Sequence, residues 1–444
     1  MSDLHQQPMP SHTFRLDISG LRRGLYSDRY FANVVRVLEG VRDSGYTFAG
    51  TDGHLAPAQP LPIGDLIVEA QVFNRRAPRA LVAGVDVVLA MLRHATGWFE
   101  GDRFVETSDQ LVVEAVTDGT FTEYDENPLN VCPVLKIRGR YRDFALLETP
   151  ILGVLTRASR IATNVYEVLE AANGKPVLFF PARFDLPEVQ AADGYAYWLA
   201  VQTYNRLTGH HVTPSVSTDA QGLWWGGRGG GTVPHALIAA FLGDTAEAMI
   251  AFATHTPLDI PRIVLADFNN DVIGDSIKTL HAFWPRYQAA FARGDADAMR
   301  RWTLNGVRID TSPNVRDASM SEDEPTGINP ILVGKVRAAL DSAWRAWALP
   351  ESLTEVAQAY CRNVRIVVSG GFSRERIQQY EAEKVPVDVY GVGSRLLKND
   401  SDTNTDFTMD VVRVFVEGQW VDLAKVGRRS NDNPDLHPVD LSAL

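Results

Sequence analysis

The spacing of apolar positions changes several times along this chain. Between Asp28 and Leu38 they fall at Tyr30, Phe31, Val34, Val35 and Leu38, the pattern of a helix with one buried face, and Ser27 is placed to cap it. From Leu61 to Phe73 the residues alternate and are rich in β formers, which predicts strands. Ala80 to Arg93 returns to helical spacing, and Phe104 to Phe121 reads as a hairpin turning at Thr117-Asp118-Gly119. A polar lead over 1–20 is expected to be disordered. The pattern after it predicts an α+β domain over 21–145.

A longer helical stretch follows from Phe144 to Glu170, opened by Leu147-Glu148-Thr149-Pro150 and closed by Asn173-Gly174. Beyond it come short apolar runs separated by helix-length segments: Pro176 to Phe180, Arg262 to Phe268, Gly306 to Asp310, Val364 to Val368 and Val387 to Tyr390. Such runs indicate parallel strands covered by helices, hence an α/β barrel or open sheet over 146–399. Phe407 to Val426 alternates once more and turns at Glu417-Gly418. This hairpin is expected to return to the first domain, which then includes 400–444. The polar tail from Gly427 is expected at the surface.

Composition narrows the function classes. The 444 residues allow two or three domains, and 45% hydrophobic with 22% charged residues is the balance of a globular chain. With 43 basic against 55 acidic residues, a net charge of −12 and no long basic run, nucleic acid is not an expected partner. A local basic pocket for a phosphorylated small molecule fits better. Cys132 and Cys361 are too few for a disulfide scaffold or a four-cysteine zinc site. Met1 to Thr13 lacks the apolar core of a signal peptide, and no run of about 18 apolar residues occurs, so a cytoplasmic protein without membrane contact is expected.

The candidate chemistry centres on Gly229-Gly230-Gly231-Thr232-Val233-Pro234-His235, which runs into Ala236, Leu237, Ile238, Ala240 and Phe241. A glycine run, a proline at what should be the first helical position and then a histidine describe a loop delivering an imidazole to a helix N-terminus. The positive end of the helix dipole disfavours a second positive charge, so this imidazole is expected to be neutral near pH 7, and the free N–H groups there attract phosphate. Each apolar run also ends in polar or glycine residues: Arg183, Asp267, Arg308 with Asp310, Ser369-Gly370-Gly371, and Gly391-Val392-Gly393-Ser394. In a barrel that carboxyl end builds the site, and the last two loops favour phosphate. Two aspartates suit Mg²⁺ held through phosphate oxygens and water, or a developing cation.

These residues stand in a familiar order: Ser27-Asp28-Arg29-Tyr30-Phe31, Leu147-Glu148-Thr149-Pro150-Ile151-Leu152-Gly153, Ala182-Arg183, Gly231-Thr232-Val233-Pro234-His235, Asp267, Arg308-Ile309-Asp310, Ser369-Gly370-Gly371 and Tyr390-Gly391-Val392-Gly393. The order resembles the nicotinate phosphoribosyltransferase family, in its shorter, archaeal-like branch, over nearly the whole chain. The resemblance implies an irregular TIM-like α/β barrel joined to an α+β domain. It also implies ATP-assisted formation of nicotinate mononucleotide and pyrophosphate from nicotinate and phosphoribosyl pyrophosphate, in NAD biosynthesis, through a phosphohistidine.

What the resemblance carries over is specific. The histidine falls on His235, with Thr232 in the same motif, the aspartates on Asp267 and Asp310, and the strand-end arginine on Arg183. Phosphate loops fall on Ser369, Gly370 and Gly371 and on Gly391, Val392, Gly393 and Ser394. Tyr30 matches the aromatic residue that stacks on the pyridine from the neighbouring subunit, which implies a homodimer with shared sites. Phe180 could cover the other face of the ring, and Arg308 could pair with its carboxylate. Mg²⁺ and ATP are the implied cofactor and cosubstrate.

Three stretches depart from the family pattern. They are Phe179 to Asp185, Gly222 to Arg228, and the span between Gly194 and Ala220, where no counterpart of the polar residue that fixes the pyridine is found. They bear on the identity of the base. Alternatives are a quinolinate or nicotinamide phosphoribosyltransferase, or a catalytically silent ligand-binding protein on the same scaffold. Quinolinate carries a second carboxylate and needs more cations, and its route needs no phosphohistidine, so His235 argues against it.

Overall fold

The computed structural model describes residues 8–51 and 55–444. Two compact units are formed, one from Met1–Asn164, Tyr195–Thr203 and Lys398–Leu444, the other from Val165–Gly194 and Tyr204–Leu397. No helix among the described residues is long and apolar enough to cross a membrane. Of the lead expected to be disordered, residues 1–7 lie outside the described residues, but the rest is folded. Ser11–Phe14 is a 3₁₀ turn and Ile18–Arg22 an α-helix. Asp17 caps that helix by accepting from Gly20 N at 2.9 Å, and buried Phe14 and Leu21 dock the segment.

The first unit is built on a six-stranded antiparallel sheet. Its order is Gln419–Asp422, Phe407–Val416, Ile67–Asn74, Leu135–Arg140, Val112–Ala115 and His437–Val439. Val68, Ala70 and Val72 pack beside Leu135 and Ile137 on one face, since Ala70 pairs with Ile137 and Val72 with Leu135. The C-terminal hairpin returns to this sheet as expected, turning at Glu417 and Gly418, both with positive φ. The tail, however, is not a surface appendage. Gln71 Nε2 donates to Arg429 O at 2.9 Å, Asn431 N donates to Gln71 Oε1 at 3.0 Å, and Ser430 Oγ donates to Glu69 Oε1 at 3.0 Å. The tail therefore covers the polar face of the Ile67–Asn74 strand and buries Glu69 and Gln71.

Three local expectations need correction. Asp28, not Ser27, occupies the cap position of helix Arg29–Asp43, and Ser27 is buried. The helix expected over Ala80 to Arg93 begins at Val85 after Gly84, whose φ is 95°, while Arg79–Leu81 is a strand paired with Phe121–Glu123. The Phe104–Phe121 hairpin does not form: Arg103–Glu106 pairs with Gly97–Glu100, and Val112–Ala115 joins the main sheet. The reason is Asp118. Its Oδ1 accepts Val85 N at 2.8 Å, at the start of helix Val85–Ala95, and Gly119 N donates to Val82 O at 2.8 Å. The apparent turn thus serves the helix and not a hairpin.

The second unit is a barrel with seven staves among the described residues, in the order of the sequence. The first, Val177–Phe179, makes a parallel bridge from Phe179 to Val216, and Val216 bridges in parallel to Gly229, so the second and third staves are single-residue contacts. The fourth to seventh are Ile263–Leu265, Gly306–Ile309, Arg365–Val368 and Val389–Val392, each paired in parallel with the next. The seventh pairs with the first. Among the described residues nothing pairs the third stave with the fourth, so the barrel is irregular and open there. Helices Val272–Arg293 and Pro330–Ser342 separate successive staves. At the amino end of the fourth stave the buried Arg262 donates to the carbonyls of Ala253, Thr256, Pro257 and Ile260, which ends helix Thr245–His255.

The buried Asp118 has a consequence for stability. Burial pushes its carboxyl up to about 8 and that of Asp86 up to about 6, each far above its value in an unfolded chain. The folded state then binds more protons than the unfolded one across that interval. Stability is greatest at the acid end and falls as pH rises toward 8. Asp118→Asn keeps the acceptor for Val85 N and removes the titration. Its melting temperature should fall less than that of the wild type between about pH 5 and about pH 8, as read by calorimetry.

Candidate active site

Parallel staves point their carboxyl ends to one rim, which concentrates the chemistry there. Asp310 follows the fifth stave directly, Arg308 lies within it and Ser369 follows the sixth. These three close a triangle. Arg308 Nε donates to Ser369 Oγ at 2.9 Å, Arg308 Nη2 donates to Asp310 Oδ2 at 2.9 Å, and Ser369 Oγ donates to Asp310 Oδ1 at 2.9 Å. Phe180, just past the first stave, places its ring 5.6 Å from the Arg308 guanidinium carbon.

The glycine loops are small because space is short. A Cβ on Gly391 would lie 3.0 Å from Phe180 Cε2 and 3.1 Å from Ser369 Cβ. One on Gly393 would lie 2.7 Å from Phe184 Cε2, and one on Gly370 would lie 3.0 Å from Asp310 Oδ1. Gly370 and Gly371 also adopt positive φ, 85° and 77°, which glycine accepts without strain. Val392 O accepts Phe180 N at 2.9 Å, tying the Gly391–Ser394 loop to the end of the first stave. Phe180, Arg308, Asp310, Ser369, Gly370 and Gly391 are therefore one cluster.

His235 and Asp267 form a second cluster. Pro234, expected at the first helical position, is instead the extended residue before it, and His235 opens a short helix, His235–Ala240. Its Nε2 lies 3.0 Å from Asp267 Oδ1, with the imidazole 45% and the carboxylate 7% exposed. Burial raises the Asp267 pKa, the hydrogen bond and charge of His235 pull it back down, and the nearby Asp310 charge pushes it up again. Since a carboxylate can only accept, a neutral His235 donates from Nε2 and keeps its lone pair on Nδ1.

Sequence reasoning missed the residues that hold this pair in place. Asn269 Nδ2 donates to Gly243 O at 3.1 Å and to both oxygens of Asp275, and Asp275 Oδ2 accepts Thr245 Oγ1 at 3.0 Å. The loop after the fourth stave is thereby tied to the segment after the histidine helix. The only signal was the Asn269-Asn270 pair after Asp267, which resembles an ordinary turn.

The remaining expected residues are less engaged. Arg183 is exposed in the turn Ala182–Phe184, its guanidinium 5.2 Å from the Phe184 ring. Thr232 is half-buried in the loop before His235. Tyr30 belongs to the first unit, 59% exposed on helix Arg29–Asp43, where its hydroxyl donates to Asp28 Oδ2 at 3.3 Å. Among the described residues no group of three or more His, Cys, Asp or Glu side chains is placed to hold a metal ion.

Comparison with known proteins agrees with this architecture. Residues 47–159 match the family described as quinolinate phosphoribosyl transferase, N-terminal domain. The chain is similar to a nicotinate-nucleotide pyrophosphorylase from Pyrococcus furiosus, at 25% identity over 96% of this chain and 85% of that one, with a TM-score of 0.64. It shares the fold of human nicotinic acid phosphoribosyltransferase at 17% identity, over 88% of this chain and 75% of that one, with a TM-score of 0.50. An α/β barrel accompanied by an α+β domain is the fold of the type II phosphoribosyltransferases. This chain is similar to proteins of that group in fold, in agreement with the resemblance carried by its motif order.

The triangle gives a direct test of the rim. Ser369 is buried and serves both Arg308 and Asp310. Ser369→Ala is expected to cost about 1–2 kcal/mol of unfolding free energy, measured by urea denaturation, because it leaves two charged partners short of a hydrogen bond.

Proposed function

We propose that the chain is an ATP-dependent nicotinate phosphoribosyltransferase of NAD biosynthesis, converting nicotinate and phosphoribosyl pyrophosphate to nicotinate mononucleotide and pyrophosphate. The observation that carries this reading is the His235–Asp267 pair at the same rim as the glycine loops. Asp267 fixes the tautomer in which Nδ1 has the lone pair, the arrangement a histidine needs to take a phosphoryl group from ATP. Hydrolysis of that phosphohistidine would then drive the equilibrium toward product.

In the transfer step the bond from C1 of the ribose to the pyrophosphate oxygen breaks, and the pyridine nitrogen attacks C1. Asp267 and Asp310 offer negative charge to the oxocarbenium-like carbon as the bond opens. The Ser369 N–H already donates to Ile309 O at 3.1 Å, so backbone N–H groups of Gly370 and Gly371 and of the Gly391 to Ser394 loop would receive the phosphates. Mg²⁺, if bound near Asp267 and Asp310, would supply charge neutralisation for the leaving pyrophosphate. Phe180 offers one face of an aromatic sandwich for the base. Exposed Tyr30, beside exposed Leu25, Tyr26 and Val37, is proposed to supply the other face to a second copy of the chain in a homodimer.

A second reading, quinolinate as the base, is favoured by the family match over 47–159. Arg308 is committed to Asp310 and Ser369, while Arg183, Arg376 beside Gly370 and Arg395 after Ser394 have no ion pair among the described residues. The choice between the two bases therefore rests on His235, since a quinolinate route needs no phosphohistidine.

His235→Ala separates these readings. Nicotinate mononucleotide formation by the wild type should be stimulated by ATP, with labelled γ-phosphate retained on the protein. The variant should keep basal transfer while losing the stimulation and the label. Stimulation that survives in the variant would refute the phosphohistidine, and turnover of quinolinate without ATP would favour the second reading. The same variant removes the partner that lowers the Asp267 pKa. The acid limb of its kcat/KM profile should therefore move to higher pH, because Asp267 must be ionised to act.

A further inference from the structure

A groove of about 460 Å³ opens at the amino ends of the sixth and seventh staves, the end of the barrel away from the rim that carries His235 and the glycine loops. Arg337, Arg362 and Arg365 reach it, against Asp341 and Asp388. One carboxylate is paired and the other is held by the backbone. Asp341 pairs with Arg337 at 2.7 Å, and Asp388 Oδ2 accepts the backbone N–H of Ile366 at 2.7 Å.

Arg337 is also fixed. Its guanidinium donates to Val364 O at 2.6 Å and Cys361 O at 3.2 Å, and its Nε is buried without a hydrogen-bond partner among the described residues. Arg362 and Arg365 differ from it. Both are exposed, and neither side chain has an ion pair or hydrogen bond among the described residues. Acidic residues outnumber basic ones in this chain, yet here three guanidiniums meet two carboxylates, one of them paired with Arg337 and the other, Asp388, turned by Oδ2 to the Ile366 N–H, so Arg362 and Arg365 leave the groove with a net positive charge.

We propose that this groove is a second anion site that binds a small phosphorylated molecule carrying more than one negative charge. Guanidinium forks match phosphoryl oxygens in pairs, so Arg362 and Arg365 each take one phosphoryl group, with the Asn363 amide between them in sequence as a further donor. The volume exceeds what two phosphoryl groups fill. Pro386 and Val387 give the remainder an apolar wall suited to an organic part. The site uses none of the residues assigned to the transferase reaction and does not depend on that assignment.

Inorganic pyrophosphate, titrated without divalent cation, is the test probe. Hydrogen exchange should show protection of 361–366 and 386–388 on binding, separately from any protection at the rim over 369–371 and 391–394. Arg362→Ala with Arg365→Ala should weaken binding at the groove at least about tenfold in calorimetry, and lysine at both positions should restore part of it. ADP binding the groove more tightly than pyrophosphate would support an organic phosphate as ligand, and equal affinity an inorganic one. Protection confined to the rim, or unchanged affinity in the double alanine variant, would overturn the proposal. Protection confined to the groove would support it and count against pyrophosphate binding at the rim.

Discussion

Between the third and fourth staves no backbone ladder forms among the described residues, and the hydrogen bond from His235 to Asp267 is made across that opening. A regular ladder would hold neighbouring backbones about 4.8 Å apart and leave no room for an imidazole between the loops that follow them. Here the missing ladder is replaced by side chains. His235 reaches Asp267, and Asn269 ties Gly243 to Asp275 behind it. The opening lets a half-exposed histidine meet a carboxylate that is nearly buried, and that burial makes the pair electrostatically coupled.

The opposite side of the barrel follows the reverse logic. The fifth, sixth, seventh and first staves are paired continuously, so their ends are close and fixed. Small residues are required where they converge, and Gly391 and Gly393 lie against the Phe180 and Phe184 rings. Backbone fixed in this way suits anion recognition, because donors that do not move need no ordering when a ligand arrives. One rim thus combines a closed half that can hold phosphate with an open half that presents a histidine.

How much of this was legible in the sequence depended on what buried each residue. The runs Pro176 to Phe180, Arg262 to Phe268, Gly306 to Asp310, Val364 to Val368 and Val387 to Tyr390 were readable because strands covered on both faces are apolar along most of their length. The staves at Val216 and Gly229 were not, since a single bridge imposes no pattern on its neighbours. Glu69 and Gln71 are polar positions of the alternating stretch from Leu61 to Phe73 that are nonetheless buried, because Arg429 to Asn431 lie over them. Asp118 carried a turn signature that local chemistry could not tell from a helix cap, because its partner Val85 lies 33 residues away. His235 was conspicuous from the glycine run and proline before it. Its pairing with Asp267, 32 residues on, needed the fold.

The charges at the rim follow from the same geometry. Asp267 and Asp310 sit after adjacent staves, and the charge of Asp310 pushes the Asp267 pKa up. Each has its own answer: Asp310 is met by Arg308 and Ser369, and Asp267 by His235. The two aspartates of the ligand-free rim are thus met within the protein. What is left to recognise a phosphate is the backbone of the glycine loops, with Arg376, whose Nη1 donates to Gly370 O at 3.2 Å, and the exposed Arg183 and Arg395 near them. A phosphoryl group placed on His235 would alter that balance, adding negative charge next to Asp267 and changing what the open half of the rim can accept. Coupling of this kind requires no large motion, only that one member of a paired set of charges be modified.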